Sequence, residues 1–154
     1  MEDIRARLAA LGLTLPPPPK PQGSYVPAVR TGNLVFVSGQ LPMRDGKVAF
    51  TGRVGHDLDM AQGQEAAGLC FLNALAALET AGSSAEKVTR VIRLGAFVQC
   101  REGFSEQPKV VNGASDLCRA LFGERGLHAR AAVGVNALPL NAAVELEALF
   151  EVGD

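Results

Sequence analysis

The chain has few aromatic residues and almost no net charge. Its 154 residues include one tyrosine, seven phenylalanines and no tryptophan, and 15 basic residues stand against 16 acidic ones. A surface that stacks nucleic-acid bases needs more aromatic rings, and one that binds the phosphate backbone needs an excess of positive charge. We therefore expect no nucleic-acid partner.

Residues that bind metals or form cross-links are also scarce. The chain contains Cys70, Cys100 and Cys118, without a CxxC pair, and its only histidines are His56 and His128. An odd number of widely spaced cysteines argues against a disulfide framework, and a zinc site would lack its usual ligands. We expect free, mostly buried thiols and no metal site.

Long hydrophobic runs are missing as well. No stretch reaches the roughly 18 unbroken apolar residues that a membrane helix needs. Residues 1–13 alternate charged and apolar side chains, whereas a signal peptide places its basic residues before an unbroken apolar run. The sequence therefore predicts a cytoplasmic protein without a membrane segment, and it predicts a short amphipathic helix at the N-terminus.

Proline is concentrated in one segment, Leu15 to Pro21. Proline fixes φ and lacks the backbone N–H, so this composition predicts an extended, stiff connector laid over the surface. The connector divides the chain into an N-terminal part, residues 1–21, and a main domain, residues 22–154. A ligand for a proline-binding partner is the less favoured interpretation.

Hydrophobic periodicity predicts a mixture of strands and helices in the main domain. The predicted strands are 25–30, 34–38, 47–50, 88–99, 128–138 and 142–152, and the predicted helices are 57–81 and 109–122. The order β-β-(β)-α-β-α-β-β lacks strict βαβ alternation, so it predicts an α+β fold with two helices on one face of a sheet.

The strand at 128–138 has two different faces. Alternation places Arg130, Ala132 and Gly134 on one side and the valines on the other. We expect the valine side to pack under the helices, together with Ile92 of the strand at 88–99, whereas Val91 lies opposite. The face that carries Arg130 is then either a subunit interface or a solvated sheet face.

Arg130 and Glu145 are the main candidates for chemistry. A guanidinium among small residues in mid-strand can bind a carboxylate through two parallel hydrogen bonds. The alternative is a structural ion pair with Glu145 or Glu147. If the last two strands form a hairpin around Pro139, Glu145 approaches Arg130 and can orient a water molecule or move a proton.

Two further segments are weaker candidates. Gly39 follows Ser38 at a strand end, where a glycine lets a ligand approach the backbone. Tyr25 can cover a pocket, although a lone tyrosine is more often a packing residue. No G-x-S-x-G nucleophile motif and no phosphate-binding loop is present.

Taken together, several motifs resemble the Rid/YjgF family. They are Gly23-Ser24-Tyr25, Gly32-Asn33-Leu34-Val35-Phe36-Val37-Ser38-Gly39-Gln40-Leu41-Pro42, Val111-Asn112, Ala129-Arg130, Leu138-Pro139 and Val144-Glu145-Leu146-Glu147-Ala148. The resemblance implies a chorismate-mutase-like fold and a homotrimer with clefts between subunits. It also implies cofactor-free hydrolysis of reactive enamines and imines, such as 2-aminoacrylate, to 2-keto acids and ammonia.

The resemblance also implies roles for single residues. Arg130 matches the arginine that binds the substrate carboxylate, and Glu145 matches the glutamate that positions the attacking water. The substrate-binding residues matched elsewhere in the same cleft are Tyr25, Ser38, Gly39, Asn112 and Ala132.

One departure from the family pattern keeps a second function open. Ala132 stands two residues after Arg130, where the best-known deaminases usually carry a cysteine. A non-catalytic trimer that binds a small carboxylate is therefore the alternative to a deaminase. An endoribonuclease, the family's older label, is less favoured because of the charge and the scarce aromatic residues.

Overall fold

A computed structural model describes residues 3–21 and 23–154. The helices are α1 (Ile4–Ala10), α2 (Met60–Ala77) and α3 (Gln107–Phe122), and the strands are β1 (Ala28–Thr31), β2 (Leu34–Gln40), β3 (Met43–Arg44), β4 (Lys47–Val48), β5 (Val88–Gln99), β6 (Ala129–Val135) and β7 (Val144–Val152). The predicted α+β class is confirmed. No helix in the described ranges is long and apolar enough to span a membrane.

Five strands form a mixed sheet in the order β1-β2-β7-β5-β6, and β3 and β4 form a separate small hairpin. β5 and β6 are parallel, whereas the other neighbours in the large sheet are antiparallel. The predicted hairpin of the last two strands is wrong, because β6 and β7 lie on opposite sides of β5. Their connection is held by Gln99, which accepts from the N–H of Leu138 (2.7 Å) and donates its backbone N–H to Ala143 (2.8 Å).

One face of the sheet packs against α2 and α3. Along β7 the residues Val144, Leu146, Ala148, Phe150 and Val152 are buried, and they alternate with partly buried residues. The predicted alternation of this strand is confirmed. We call the other side the open face; it carries Phe36 on β2, Arg93 and Phe97 on β5, Val133 on β6, and Glu145, Glu147 and Leu149 on β7.

The predicted orientation of β6 is wrong. Arg130 lies beside the buried Leu94 and Ala132 lies beside the buried Ala96, so this side of β6 faces the helices. Val133 lies on the open face and is 48% exposed. Periodicity shows that the two sides differ, but it does not say which side is covered, and here the open face is itself partly apolar.

The side chains at the start of β5 also face differently from the prediction. The pairing of β5 with β7 shifts register between Val91 and Arg93. This irregularity turns Val91 into the core, opposite Phe150, and leaves Ile92 only partly buried. The predicted positions of Val91 and Ile92 are therefore wrong, whereas the pairing with β7 confirms the predicted alternation from Leu94 to Val98.

The N-terminal helix is part of the same core. Ile4 and Leu8 of α1 are 2% and 1% exposed, and both belong to the hydrophobic cluster under the sheet. The predicted helix over residues 1–13 is confirmed for Ile4–Ala10, and Met1 and Glu2 lie outside the described residues. The division of the chain at residues 21 and 22 stays a prediction.

Close packing of α2 against α3 fixes the position of α3. A Cβ atom on Gly113 of α3 would overlap the backbone carbonyl of Gln64 in α2. Backbone atoms cannot move aside as a flexible side chain can, so this contact requires glycine. The sequence around Gly113 includes the polar residues that α3 presents to β6.

We predict that Gly113→Ala destabilises the fold by about 1–3 kcal/mol, because the added methyl forces the two helices apart. Urea unfolding followed by circular dichroism measures this loss. Gly68→Ala is the matched control: its Cβ would lie 3.3 Å from the Gly113 carbonyl oxygen, a contact that small adjustments relieve. Equal stability of Gly113→Ala and wild type would contradict the tight helix contact.

Candidate functional site

The residues predicted to carry chemistry, together with Ser115 and His128, which were not predicted, fall into two groups on opposite faces of the sheet. The first group, which we call the arginine cluster, consists of Asn112, Ser115, His128 and Arg130 between α3 and β6. The second group, which we call the glutamate cleft, is bordered by Tyr25, Gly39 and Glu145.

Arg130 is held by uncharged partners. Its Nη1 donates to Asn112 Oδ1 (2.8 Å) and to Ser115 Oγ (3.1 Å), and its Nη2 donates to the carbonyl of Pro108 (3.2 Å). All three partners come from α3. Within residues 3–21 and 23–154, Arg130 forms no ion pair. The predicted alternative of an ion pair with Glu145 or Glu147 is therefore wrong for the described chain.

A short chain of hydrogen bonds continues from Arg130 into the protein. His128 Nε2 lies 2.9 Å from Ser115 Oγ, and His128 Nδ1 lies 2.6 Å from the carbonyl oxygen of Gly126. Because a carbonyl oxygen only accepts, Nδ1 carries a hydrogen, and in the neutral imidazole Nε2 then accepts from the hydroxyl of Ser115. Ser115 can therefore accept from Arg130 while it donates to His128, which fixes its orientation.

Sequence reasoning missed Ser115, although a signal for it exists. Asn112 was predicted through the family resemblance, and Ser115 follows it by three residues in α3. Residues at this spacing lie on the same side of a helix. Once Asn112 is placed beside Arg130, the hydroxyl of Ser115 is expected there too.

Ala132 lies on the same side of β6 as Arg130. It pairs with Ala96 of β5, and it packs as a partly buried residue against the core. The position is thus next to the arginine cluster, and its methyl group supplies no nucleophile and no acid. Cys70, Cys100 and Cys118 are free and buried, as predicted. Burial raises the pKa of the Cys70 and Cys118 thiols.

Glu145 lies on the open face and depends on Gly39 for its position. A Cβ atom on Gly39 would stand 2.5 Å from Glu145 Oε1. The absence of a side chain at Gly39 therefore gives the carboxyl group room against β2. In the described part of the chain, this carboxyl group has no hydrogen-bond partner, although its side chain is partly buried.

The surroundings of Glu145 favour its protonated form. Burial is the larger cause that raises its pKa, and the negative charge of Glu147 is the smaller one. A carboxyl group with a raised pKa exchanges protons closer to neutral pH, which suits acid–base chemistry. Glu147 itself forms an exposed ion pair with Arg93 (3.3 Å).

The glutamate cleft has a volume of about 720 Å³. Tyr25 borders it and is 49% exposed, so the ring is available to cover a ligand. Ser38 lies next to Gly39 on β2, but its hydroxyl donates to the carbonyl of Val26 (2.8 Å). The hydroxyl hydrogen of Ser38 is therefore used in this backbone hydrogen bond, while the hydroxyl oxygen can still accept a hydrogen bond from a ligand.

Within one chain the two groups do not meet. Glu145 is on the open face of β7, Arg130 is on the helix-covered face of β6, and β5 lies between the two strands. The predicted approach of Glu145 to Arg130 within a chain is wrong, because it required the hairpin that does not form. In the described ranges, no three His, Cys, Asp or Glu residues come together as a metal site would require.

We predict that Glu147→Gln lowers the pKa of Glu145, because the substitution removes a negative charge that opposes its ionisation. Carbon-13 NMR titration of the glutamate side chains measures this pKa. Arg30→Gln on β1 is the control, since it changes charge away from β7, and it should leave the titration unchanged. A Glu145 pKa that does not fall in Glu147→Gln would contradict the electrostatic explanation.

The raised pKa also has a consequence for stability. Because the folded-state pKa lies above the ordinary value of 4.5, the protonated carboxyl group favours the folded state below that value. The contribution is lost as the pH rises through the raised pKa. Glu145→Gln, which never ionises, removes this part of the pH dependence in urea unfolding.

Comparisons with known proteins agree with this architecture. The model of the family described as "YjgF/chorismate_mutase-like, putative endoribonuclease" matches residues 5–152. Protein TCP17 from Trypanosoma cruzi is 43% identical, over 98% of this chain and 95% of TCP17. A 2-iminobutanoate/2-iminopropanoate deaminase from Dermatophagoides farinae is 30% identical, over 91% of this chain and 94% of that protein.

A solved structure gives the same result for the fold. The crystal structure of Atu1372, a protein of unknown function from Agrobacterium tumefaciens, matches with a TM-score of 0.90 and 49% identity. The match covers 97% of this chain and 92% of Atu1372. The motifs around Ser38, Arg130 and Glu145 and the matched fold lead to one conclusion: the chain belongs to the Rid/YjgF family.

Proposed function

We propose that the protein is a hydrolytic deaminase that converts 2-imino acids, and the enamines in equilibrium with them, to 2-keto acids and ammonia. The observation that carries this proposal is the guanidinium of Arg130, a cation held by uncharged groups of α3. No described residue supplies this cation with a counter-charge, and a substrate carboxylate can supply it through paired hydrogen bonds. The relative that is named a 2-iminobutanoate/2-iminopropanoate deaminase supports the same substrate class.

The reaction requires orientation and proton transfer. Water adds its oxygen to the imine carbon, the carbon–nitrogen bond breaks, and the products are a 2-keto acid and ammonia, without oxidation or reduction. The imine carbon is already electrophilic, so the substrate needs only to be positioned and the water oriented. In this proposal, the ionised carboxylate of Glu145 takes one proton from the attacking water and passes it to the imine nitrogen, which gives a carbinolamine. The same carboxylate then moves the hydroxyl proton of the carbinolamine to the nitrogen, so that the carbon–nitrogen bond breaks and ammonia leaves.

A second copy of the chain is needed to bring the two halves together. We propose a homotrimer in which the arginine cluster of one copy lies against the glutamate cleft of the next. β6 is an edge strand, and the open face exposes apolar side chains such as Phe36 (49%) and Val133 (48%). Exposed apolar surface of this kind favours association between copies. The substrate would then lie between Arg130 of one copy and Glu145 of its neighbour.

The remaining predicted residues take supporting roles in the proposed site. Asn112 holds the guanidinium in place, and Ala132 offers only its backbone groups next to it. Gly39 makes room for Glu145, with Ser38 beside it, and Tyr25 covers the cleft. We place the protein in the cytoplasm, where three free thiols stay reduced.

Ala132 favours a second candidate function. Because no thiol stands at this position, a trimer that binds a small carboxylate without turning it over is the alternative. Ligand-induced thermal stabilisation without turnover would identify it. An endoribonuclease is disfavoured by the net charge of −1, since phosphate-backbone binding draws on excess positive charge.

We predict different kinetic effects for the two halves of the site. Arg130→Ala should lower kcat/KM by roughly 100-fold or more, mainly through KM, because the carboxylate loses its cation. Glu145→Gln should lower kcat by about 100-fold with a smaller change in KM, because the proton transfer is lost. The imines are generated in situ, from serine or threonine by a dehydratase and from other amino acids by an oxidase, and their decay is followed by competition with semicarbazide.

Arg119→Ala is the matched control for these variants. Arg119 is an exposed arginine of α3 outside both groups of residues, so its loss should leave the kinetics unchanged. Arg130→Ala protein as active as wild type on every imine would refute the deaminase proposal. RNA cleavage by the purified protein that is lost in Arg130→Ala would favour the ribonuclease instead.

A further inference from the structure

The glutamate cleft extends well beyond Glu145. One of its walls is the proline segment, which we define as Pro16, Pro17, Pro18, Pro19, Lys20 and Pro21, and all six residues line the cleft. The sequence predicted this segment as a surface connector. In the fold it contributes to the shape of the cavity that Glu145, Gly39 and Tyr25 border.

The cleft is larger than the smallest imino acids require. Its volume of about 720 Å³ lies inside the range of about 300–1,000 Å³ that is typical of small-molecule sites. The carboxylate and the imine group of a substrate would lie at the edge near Glu145. A methyl or ethyl side chain would leave most of the remaining space to water.

The lining of this space is mostly apolar. Outside the proline segment it includes Leu41, Met43, Pro139 and Leu140. Proline has no N–H, so the proline segment offers ring methylenes and few backbone donors to a ligand. A hydrocarbon side chain of a ligand binds to such a surface better than a polar one does, because the polar side chain would lose its hydrogen bonds to water.

The polar residues of the lining do not change this conclusion. The amide nitrogen of Asn73 already donates to the carbonyls of Met43 (3.0 Å) and Leu69 (2.9 Å). Lys20 and Asp45 carry opposite charges, so together they select neither an anion nor a cation. Glu145 itself is assigned to the reaction.

Leu140 is an independent sign that this wall has a function. It has a φ of 56°, a left-handed conformation that is costly for a bulky residue without glycine's freedom. In the single chain the residue is nevertheless 62% exposed, so burial in its own core does not compensate for that cost. A ligand side chain in the cleft would cover part of this exposed leucine.

We propose that the cleft binds the side chain of the substrate and that the preferred substrates are 2-imino acids with large apolar side chains. Imines derived from leucine or phenylalanine represent this class, in contrast to the small imines derived from serine or threonine. This inference rests on the proposed function, because it assumes that Arg130 and Glu145 hold the reacting end. The fixed φ of the prolines keeps the wall ordered before binding, so little entropy is lost when the side chain enters.

The first experiment compares substrates on the wild-type protein. The imines derived from serine, threonine, leucine and phenylalanine are generated in situ, and kcat/KM is measured for each. We expect kcat/KM for the leucine-derived imine to exceed that for the serine-derived imine by about tenfold or more. Equal values, or a preference for the small imine, would overturn the inference.

Two variants then test the wall itself. Leu140→Asn removes the apolar side chain and places a residue that tolerates positive φ. The double substitution Pro17→Ala and Pro18→Ala removes two exposed rings from the proline segment. Both variants should lower the preference for the leucine-derived imine several-fold while the rate on the serine-derived imine stays within about twofold of wild type.

Leu11→Asn is the matched control for Leu140→Asn. Leu11 is 49% exposed, follows α1 and is absent from the lining of the cleft. It should leave the preference unchanged. An unchanged preference in both wall variants would overturn the inference even if the wild type favours large imines.

A binding measurement separates this inference from the proposed function. The products pyruvate and 4-methyl-2-oxopentanoate carry the same carboxylate with a small and a large apolar side chain, and thermal shift measures the binding of each. If no imine is turned over, the deaminase proposal fails, but tighter binding of 4-methyl-2-oxopentanoate that weakens in Leu140→Asn still supports the cleft. If imines are turned over and the two products bind equally, the cleft inference fails and the deaminase proposal stands.

Discussion

The contact between Arg130 and α3 is the interaction on which the rest of the account depends. A positive charge at the edge of a hydrophobic core is costly unless its donors are satisfied. Here α3 accepts three hydrogen bonds from the guanidinium through an amide oxygen, a hydroxyl and a backbone carbonyl, none of which carries a negative charge. The packing of α3 on α2 through Gly113 and the parallel pairing of β6 with β5 both serve to place these groups. The result is an ordered cation that has no ion-pair partner among residues 3–21 and 23–154.

The opposite face of the sheet carries the complementary feature. Glu145 is a carboxyl group with room provided by Gly39, and its surroundings favour the protonated form. A single chain therefore presents a cation on one side and a proton-exchanging group on the other, with β5 between them. In the proposed reaction, neither half is sufficient by itself. The separation explains why the proposed activity requires an assembly of copies.

Much of the fold could be predicted from periodicity and local signals. The alternation along β7 and the existence of α2 and α3 could be predicted because they depend on the local hydrophobic pattern of each strand or helix. The start of α2 at Met60 instead of residue 57 follows from the capping box between Asp59 and Gln62. The prediction that failed concerns long-range pairing. A hairpin was inferred because β6 and β7 are close in sequence, but hydrogen bonds to Gln99 of β5 hold the segment that connects them. The side of the sheet that Arg130 faces was a separate error, because the valines of β6 were expected under the helices whereas Val133 lies on the open face.

The sequence predicted which residues belong to the candidate site but not how they are arranged in space. Arg130, Glu145, Gly39 and Tyr25 carried signals in residue type and in the family motifs. Their distribution over two faces depends on strand order, which single-strand periodicity does not contain. The proline segment carried a clear compositional signal for a stiff, extended chain. Its place along the cleft could not be read from the sequence, because it depends on where α1 docks.

The central claim is that a working site combines Arg130 of one copy with Glu145 of another, and mixed assemblies test it most directly. Arg130→Ala and Glu145→Gln chains with different affinity tags are co-expressed in equal amounts, and each variant is also prepared alone. If sites form between copies, random mixing leaves both halves intact in about one quarter of the sites, so about a quarter of the wild-type activity should return. Mixed assemblies with no more activity than the separate variants would contradict the account.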